Sequence, residues 1–190
     1  MGTRARKAGG RRGGTPAPKG RPPAAGGRAR ARPAVARSPS AAGEPPVEVR
    51  AARPGDLASV TAIDAEVTGL AKPAYWRGIF RRYGASAKVG RHLLVAEAAG
   101  EVVGFIIGEV RDWEFGSPPC GWVFAIDVHP GARLSGIGTK LLAGIVSAFR
   151  RAGVTTIRTI LSRENALVLS FFRSQGMMAG PFIPLEMELD

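Results

Sequence analysis

The sequence predicts an α+β fold: a mixed sheet of about seven strands with helices on both faces, preceded by a disordered tail. Three observations predict it. The composition changes sharply near residue 47; beyond that point short β-branched runs and amphipathic helical runs follow one another in the order β-α-α-β-β-β-α-β-α-β-β; and one stretch, "RHLLVAEAAGEVVGFIIGEV", reads as a hairpin, which makes part of the sheet antiparallel. No internal repeat is visible.

Residues 1–46 hold 11 Lys or Arg against a single acid, Glu44, and therefore carry +10 of the chain's formal +12. They are mostly Gly, Pro, Ala and Arg with no aromatic residue, so they bury too little apolar surface to offset the entropy of ordering. The pI of about 11.3 is a property of this segment, while residues 47–190 are nearly balanced. A basic tail of this kind is expected to associate at most weakly with nucleic acid, through salt-sensitive neutralisation of phosphates. Arg11-Arg12 lacks a following apolar run, Pro and Gly interrupt any amphipathic presequence, and no stretch approaches the ~18 apolar residues of a membrane span. The single cysteine, Cys120, excludes a disulfide framework and a cysteine-based metal cluster. The expectation is a cytoplasmic protein, monomeric or homodimeric, with no membrane association and no metal.

The elements follow in order. "VEVRAAR" alternates and reads as a first strand. "RPGDLASVTAIDAEV" puts Asp56 at a helix start with Leu57, Val60, Ile63 and Val67 on one face. "KPAYWRGIFRRYG" is a second helix, with Pro73 early and Gly84 at its end. After the hairpin, turning at Ala98, Ala99 and Gly100, "GWVFAIDVHP" is a fourth strand whose continuous apolar character suggests burial on both faces. The helix after it repeats Ile137, Leu141, Leu142, Ile145, Val146 and Phe149 and stops at Gly153. "VTTIRTIL" is a strand, Asn165 caps the helix "ALVLSFFRSQ", Gly176 ends it, and "MMA" and "IPLEMEL" are the last strands.

Gly136 and Gly138 open the third helix, where glycine costs roughly 1 kcal/mol against alanine in an interior position. Bare backbone there lets a ligand approach the unpaired N–H groups and the positive end of the helix dipole, which suits an anion. A mononucleotide P-loop would close with Gly-Lys-Ser or Gly-Lys-Thr, and a dinucleotide turn would follow the first strand; neither fits Gly138-Thr139-Lys140 after the fourth. Simple packing glycines at a tight turn are the competing explanation.

The surrounding pattern resembles the GNAT superfamily of acyl-CoA N-acyltransferases. Val128-His129-Pro130 closes the strand, and Arg133-Leu134-Ser135-Gly136-Ile137-Gly138 matches the family's Arg/Gln-x-x-Gly-x-Gly/Ala; Asn165 and Gly176-Met177 stand where the family has Asn and Gly-Phe. The opening "VRAARPGDLASV" and the hairpin are also similar, so the resemblance spans about 47–190. It implies that acetyl-CoA is the donor, its pyrophosphate held by backbone N–H groups from Leu134 through Ser135, Gly136, Ile137 and Gly138 to Thr139, with Arg133 ahead of them. It further implies that the fourth and fifth strands splay, leaving Ile126 to Val128 for the pantetheine arm, with Asn165 and Phe172 beside it. His129 is expected to serve the turn.

Acyl transfer to an amine needs the amine unprotonated, and a lysine-like ammonium with pKa near 10.4 is neutral in about one molecule in 2,500 at pH 7. A general base is therefore expected. The family often has a carboxylate early in the fourth strand, but Pro119-Cys120-Gly121-Trp122 offers none, which leaves Glu114 and Asp127 as candidates with Glu109 and Asp112 behind them. A family tyrosine that protonates the departing thiolate is replaced by Phe172. Because thiols have pKa near 8.5, transfer is expected to be slowed rather than abolished. Cys120 lacks a histidine partner and is expected to be a small buried residue. Tyr75, Trp76 and Tyr83 are expected to border the acceptor. The resemblance thus implies transfer of an acyl group, acetyl foremost, to a primary amine, on a protein lysine or N-terminus or on a small molecule. A CoA-binding module with little catalysis and a nucleic-acid-associated protein acting through its tail stay open.

Overall fold

Five strands form one sheet in the order β1-β2-β3-β4-β5: β1 Val47–Ala51, β2 Arg91–Ala98, β3 Glu101–Arg111, β4 Cys120–Val128 and β5 Ile157–Arg158. The first three pairings are antiparallel and the last is parallel. This computed structural model describes residues 46–84, 88–133 and 135–189; the tail assigned to 1–46, Pro46 excepted, and Leu134 lie outside the described residues.

Among the described residues, four α-helices cover the sheet. α1 (Leu57–Thr68) and α2 (Pro73–Tyr83) lie on one face; α3 (Ile137–Arg151) and α4 (Ala166–Ser174) lie on the other. Strand alternation sorts the core between them. Leu93, Val95, Phe105 and Ile107 meet Val60, Ile63, Trp76 and Ile79 on the first face, while Ala96, Ile106 and Val123 meet Ile137, Leu141, Ile145 and Phe149 on the second. Helices on both faces follow as the sequence predicts. None of the helices is long and apolar enough to cross a membrane, among the described residues.

Local signals account for the connections. β2 and β3 join through Ala99 and Gly100, both at positive φ (52° and 84°), the twist that a two-residue hairpin turn requires. Gly153 and Gly176, both left-handed, follow α3 and α4. Phe149 of α3 lies directly on Gly121 of β4, where a Cβ would overlap its ring. A glycine in this strand therefore lets the helix seat closely on the sheet.

Two expectations are corrected. Where about seven strands are expected, the described residues form five, because "MMA" and "IPLEMEL" make no ladder. Ile183, Leu185, Met187 and Leu189 alternate as a strand would, yet all four are exposed, and Pro184 within the run has no N–H to donate. Alternation supplies only a face; a strand also needs a neighbour, and β5 pairs over two residues alone. For the same reason "GWVFAIDVHP" is not buried throughout: Val123 is buried, whereas Phe124 is exposed and Asp127 half-buried.

Candidate active site

A bulge in β4 creates the site. Gly108 pairs with Val123 and Ile107 with Ala125, so Phe124 is an extra residue between them. A bulge bends its strand and increases the local twist. Just before it, β4 pairs with β5 only through Gly121↔Ile157 and Trp122↔Arg158. Beyond that the two chains part, and β4 runs on to Val128 with no ladder on its β5 side. Between the separated chains lies a cavity of about 460 Å³, floored by Val123 to Asp127, walled by Thr159 to Leu161 and α4 on one side and by α1 and α2 on the other.

Beyond the floor strand, after a short turn, α3 begins. Gly136 is its N-cap residue with φ 72°, a left-handed conformation that strains any residue with a Cβ. The first intrahelical bond runs from Lys140 N–H to the Gly136 carbonyl at 3.1 Å, so the N–H groups of Ile137, Gly138 and Thr139 have no partner inside the helix. Gly138 has a packing reason as well: a Cβ there would stand 3.1 Å from the Phe171 ring of α4. Arg133 folds back so that its Nε points at the Val128 carbonyl at 3.4 Å. His129 serves the turn, its Nδ1 accepting from Gly131 N–H at 3.1 Å, and its Nε2 stands 3.1 Å from Glu66 Oε2.

Inside the cavity the charged groups are Asp127 of β4, Asp64 of α1 and Lys72 at the start of α2. Asp127 of β4 faces α1, since Asp127 and Ala125 share the face opposite to Val128 and Ile126. Burial raises its carboxyl to about 6, the charge of Asp64 pushes the same way, and Lys72 and Arg133 oppose both. Asp64 sits one helical turn beyond Val60 in the apolar stripe of α1 and is 5% exposed. Trp76 Nε1 donates to its Oδ2 at 2.8 Å and Lys72 Nζ to its Oδ1 at 3.0 Å. A buried carboxylate is tolerated when it is both hydrogen-bonded and paired, and here the partners are Trp76 of α2 and Lys72, the residue that caps its start.

The residues that sequence reasoning singled out divide by position. Ile126, Asp127, Asn165 and Phe172 all line the cavity. Asn165 also caps α4, its side chain accepting from Val168 N–H at 3.2 Å. Val128, Arg133, Ser135, Gly136, Ile137, Gly138 and Thr139 follow the floor strand into the turn and first residues of α3. Glu114 stands apart, in a one-turn helix after β3, with its side chain 45% exposed and Arg111 at 3.9 Å. Glu109 accepts from Tyr83 Oη at 2.8 Å and pairs with Arg91 and Arg111. Cys120 is buried, with Arg158 Nη1 at 3.3 Å from its Sγ. Trp76 and half-exposed Tyr75 do line the cavity, whereas Tyr83 touches it only through edge-to-face contact with Phe124. Asp64 and Lys72 were missed. The signal for Asp64 was present, an acid at a core position of an amphipathic stripe, but its partners lie across a helix junction.

The sequence profile of the Acetyltransferase (GNAT) family matches residues 59–177. An L-2,4-diaminobutyric acid acetyltransferase from Nocardia farcinica (strain IFM 10152) is 32% identical over 87 residues, a match that spans 46% of this chain and 44% of that protein. Among solved structures, the aminoglycoside N-acetyltransferase AAC(6')-Iy in complex with CoA superposes with a TM-score of 0.64 at 17% identity, covering 76% of this chain and 95% of that one. A transcriptional regulator from Bacillus halodurans C-125 also superposes at 0.64, with 21% identity over 75% of this chain and 99% of the other. With the profile running from within α1 to the residue after Gly176, the chain belongs to the acetyltransferase (GNAT) family.

Proposed function

We propose that the protein transfers an acetyl group from acetyl-CoA to a primary amine, with Asp127 as the proton acceptor. The observation that carries this reading is the position of Asp127: a half-buried carboxylate on a strand edge without a ladder, lining a cavity whose floor strand leads through a short turn to the N-terminus of α3. Two of the proteins named above are acetyltransferases of amine-bearing compounds, 2,4-diaminobutyric acid and aminoglycosides, which supports the same class of acceptor.

The residues present fit the donor. The N–H groups of Ile137, Gly138 and Thr139, which have no partner inside the helix and lie at the positive end of α3, suit its pyrophosphate, and the unladdered edge around Ile126 and Val128 suits the amides of its arm. The donor supplies an electrophilic thioester carbonyl. In the transfer the amine nitrogen forms a C–N bond to that carbon, the C–S bond breaks with its electron pair going to sulfur, and the proton shed by nitrogen passes to Asp127. Water protonates the thiolate, because Phe172 has no proton to give. With its carboxyl near 6, Asp127 is about nine-tenths ionised at pH 7 and takes a proton more readily than an ordinary aspartate.

Phe172 favours a second reading. It is 3% exposed and lines the cavity as a purely apolar wall, which is compatible with a module that binds CoA and turns it over little. Free thiol release on mixing acetyl-CoA with a panel of amines separates the two. Transfer predicts acceptor-dependent release that falls at least 100-fold in Asp127→Asn, in line with the roughly 10²–10⁴-fold worth of a general base. Tight binding of acetyl-CoA with no release above background for any amine would establish the module instead.

A further inference from the structure

We propose that Lys72 and Asp64 read the acceptor by charge, so that the preferred acceptor is a short diamino acid, with its carboxylate on Lys72 Nζ, its second ammonium on Asp64 and its reacting amine at Asp127. This rests on the transfer reading above and names the substrate class of the same cavity. Three observations carry it. First, Asp64, Lys72 and Asp127 all line the one cavity. Two carboxylates against one ammonium leave them net negative, and the Asp64–Lys72 pair sets an acceptor and a donor side by side, an arrangement complementary to a diamino acid of net charge +1.

Second, each group keeps capacity for a ligand. A carboxylate offers about four acceptor sites, and Asp64 spends one oxygen on Trp76 and the other on Lys72, one bond each. An ammonium has three donors, and Lys72 Nζ spends one on Asp64 while its side chain stays 32% exposed at the cavity mouth. Third, the reader is held still. The indole of Trp76 is 1% exposed and packs edge to face on Phe105 at 4.9 Å, and it anchors Asp64, which in turn anchors Lys72. Positioned groups of this kind discriminate by the bonds they still have to offer: an acceptor without the carboxylate leaves the free donors of Lys72 Nζ unused, and one without the second ammonium leaves the free lone pairs of Asp64 unused.

The alternative is that Lys72 only ties the start of α2 to α1. Acceptor kinetics and calorimetric binding of acceptors to the full chain separate the two, using 2,4-diaminobutyrate, 1,3-diaminopropane, which lacks the carboxylate, and 4-aminobutyrate, which lacks the second amine. The expected result is a kcat/KM for 2,4-diaminobutyrate roughly 10- to 100-fold above that for either analogue, carried mostly by KM. In Lys72→Met the ratio of diaminobutyrate to diaminopropane collapses to within about threefold, and Lys72→Arg restores it. Equal use of the three acceptors by the native protein overturns the inference while leaving transfer intact. So does a Lys72→Met protein that loses stability and all acceptors in proportion. Should no amine release thiol, transfer fails, and calorimetry still decides recognition: selective binding of diaminobutyrate upholds it and its absence overturns it.

Discussion

Phe171 of α4 lies against the bare α-carbon of Gly138 in α3, so close that a methyl group on Gly138 would stand 3.1 Å from its ring. One glycine thus serves two demands. It leaves the start of α3 open, and it lets α4 close over the same corner, bringing Asn165, Val168 and Phe172 to the cavity.

Gly138→Ala should therefore disturb both. Displacing the Phe171 ring by a few tenths of an ångström is expected to raise the KM for acetyl-CoA, while the packing cost is set against the roughly 1 kcal/mol that alanine gains in helix propensity, leaving stability within about 1 kcal/mol of native. Gly136→Ala meets no atom within 4 Å but must hold φ 72°, so its cost is backbone strain of about 1–2 kcal/mol. A Gly138→Ala protein with native KM would contradict this account.

Asp127→Asn separates chemistry from stability. The raised folded-state carboxyl means that the native protein holds this proton more tightly than the unfolded chain does. Between the ordinary carboxylate range near 4 and about 6, rising pH removes stability, and above 6 the full cost of the ionised group is present. The amide should thus raise Tm by about 5–10 °C at pH 8 and leave it nearly unchanged at pH 4, while kcat falls at least 100-fold. In the native enzyme, kcat should rise with pH through about 6, a limb that the variant lacks.

Phe172→Tyr offers the departing thiolate a proton donor from a position that lines the cavity. The expected outcome is a kcat increase of about tenfold with little change in the KM for acetyl-CoA. A flat kcat would show that thiolate departure does not limit turnover.

Away from the site, Arg50 joins the first strand to the α1 junction. Its guanidinium donates to Asp56 at 2.7 and 2.9 Å and to Glu97 at 2.6 and 2.8 Å, and Asp56 also accepts from Arg53 N–H at 2.7 Å. Arg50 holds the Asp56 carboxyl below its ordinary range, with burial opposing. The pair's stabilisation is therefore fully present above the unfolded carboxylate range and is lost as pH falls through the lowered folded value. Asp56→Ala should cost about 3 kcal/mol at pH 7, and the difference from the native protein should shrink steadily below pH 4 in acid titration.

Much of the fold could be read from periodicity. The stripe from Ile137 to Phe149 became the buried face of α3, the Ala99–Gly100 turn joined two paired strands, and Asn165 capped α4. These are local properties, set by spacing within one helix or by the φ preference of one turn. The last two predicted strands failed because a ladder is a relation between segments, and nothing within "IPLEMEL" states whether a partner is there.

The site divides the same way. Gly136, Gly138 and the order of motifs around them suffice, from sequence alone, to point to the family, because tight backbone turns and capping demand particular residues at fixed separations. The acceptor side was decided only by tertiary structure. Bending at Phe124 parts β4 from β5, the turn between α1 and α2 sets Lys72 and Trp76 on Asp64, and both helices then bring that carboxylate into the cavity that Asp127 faces. Charges this far apart along the chain act on one another only once packing has removed the water between them, and no spacing rule in the sequence encodes that distance.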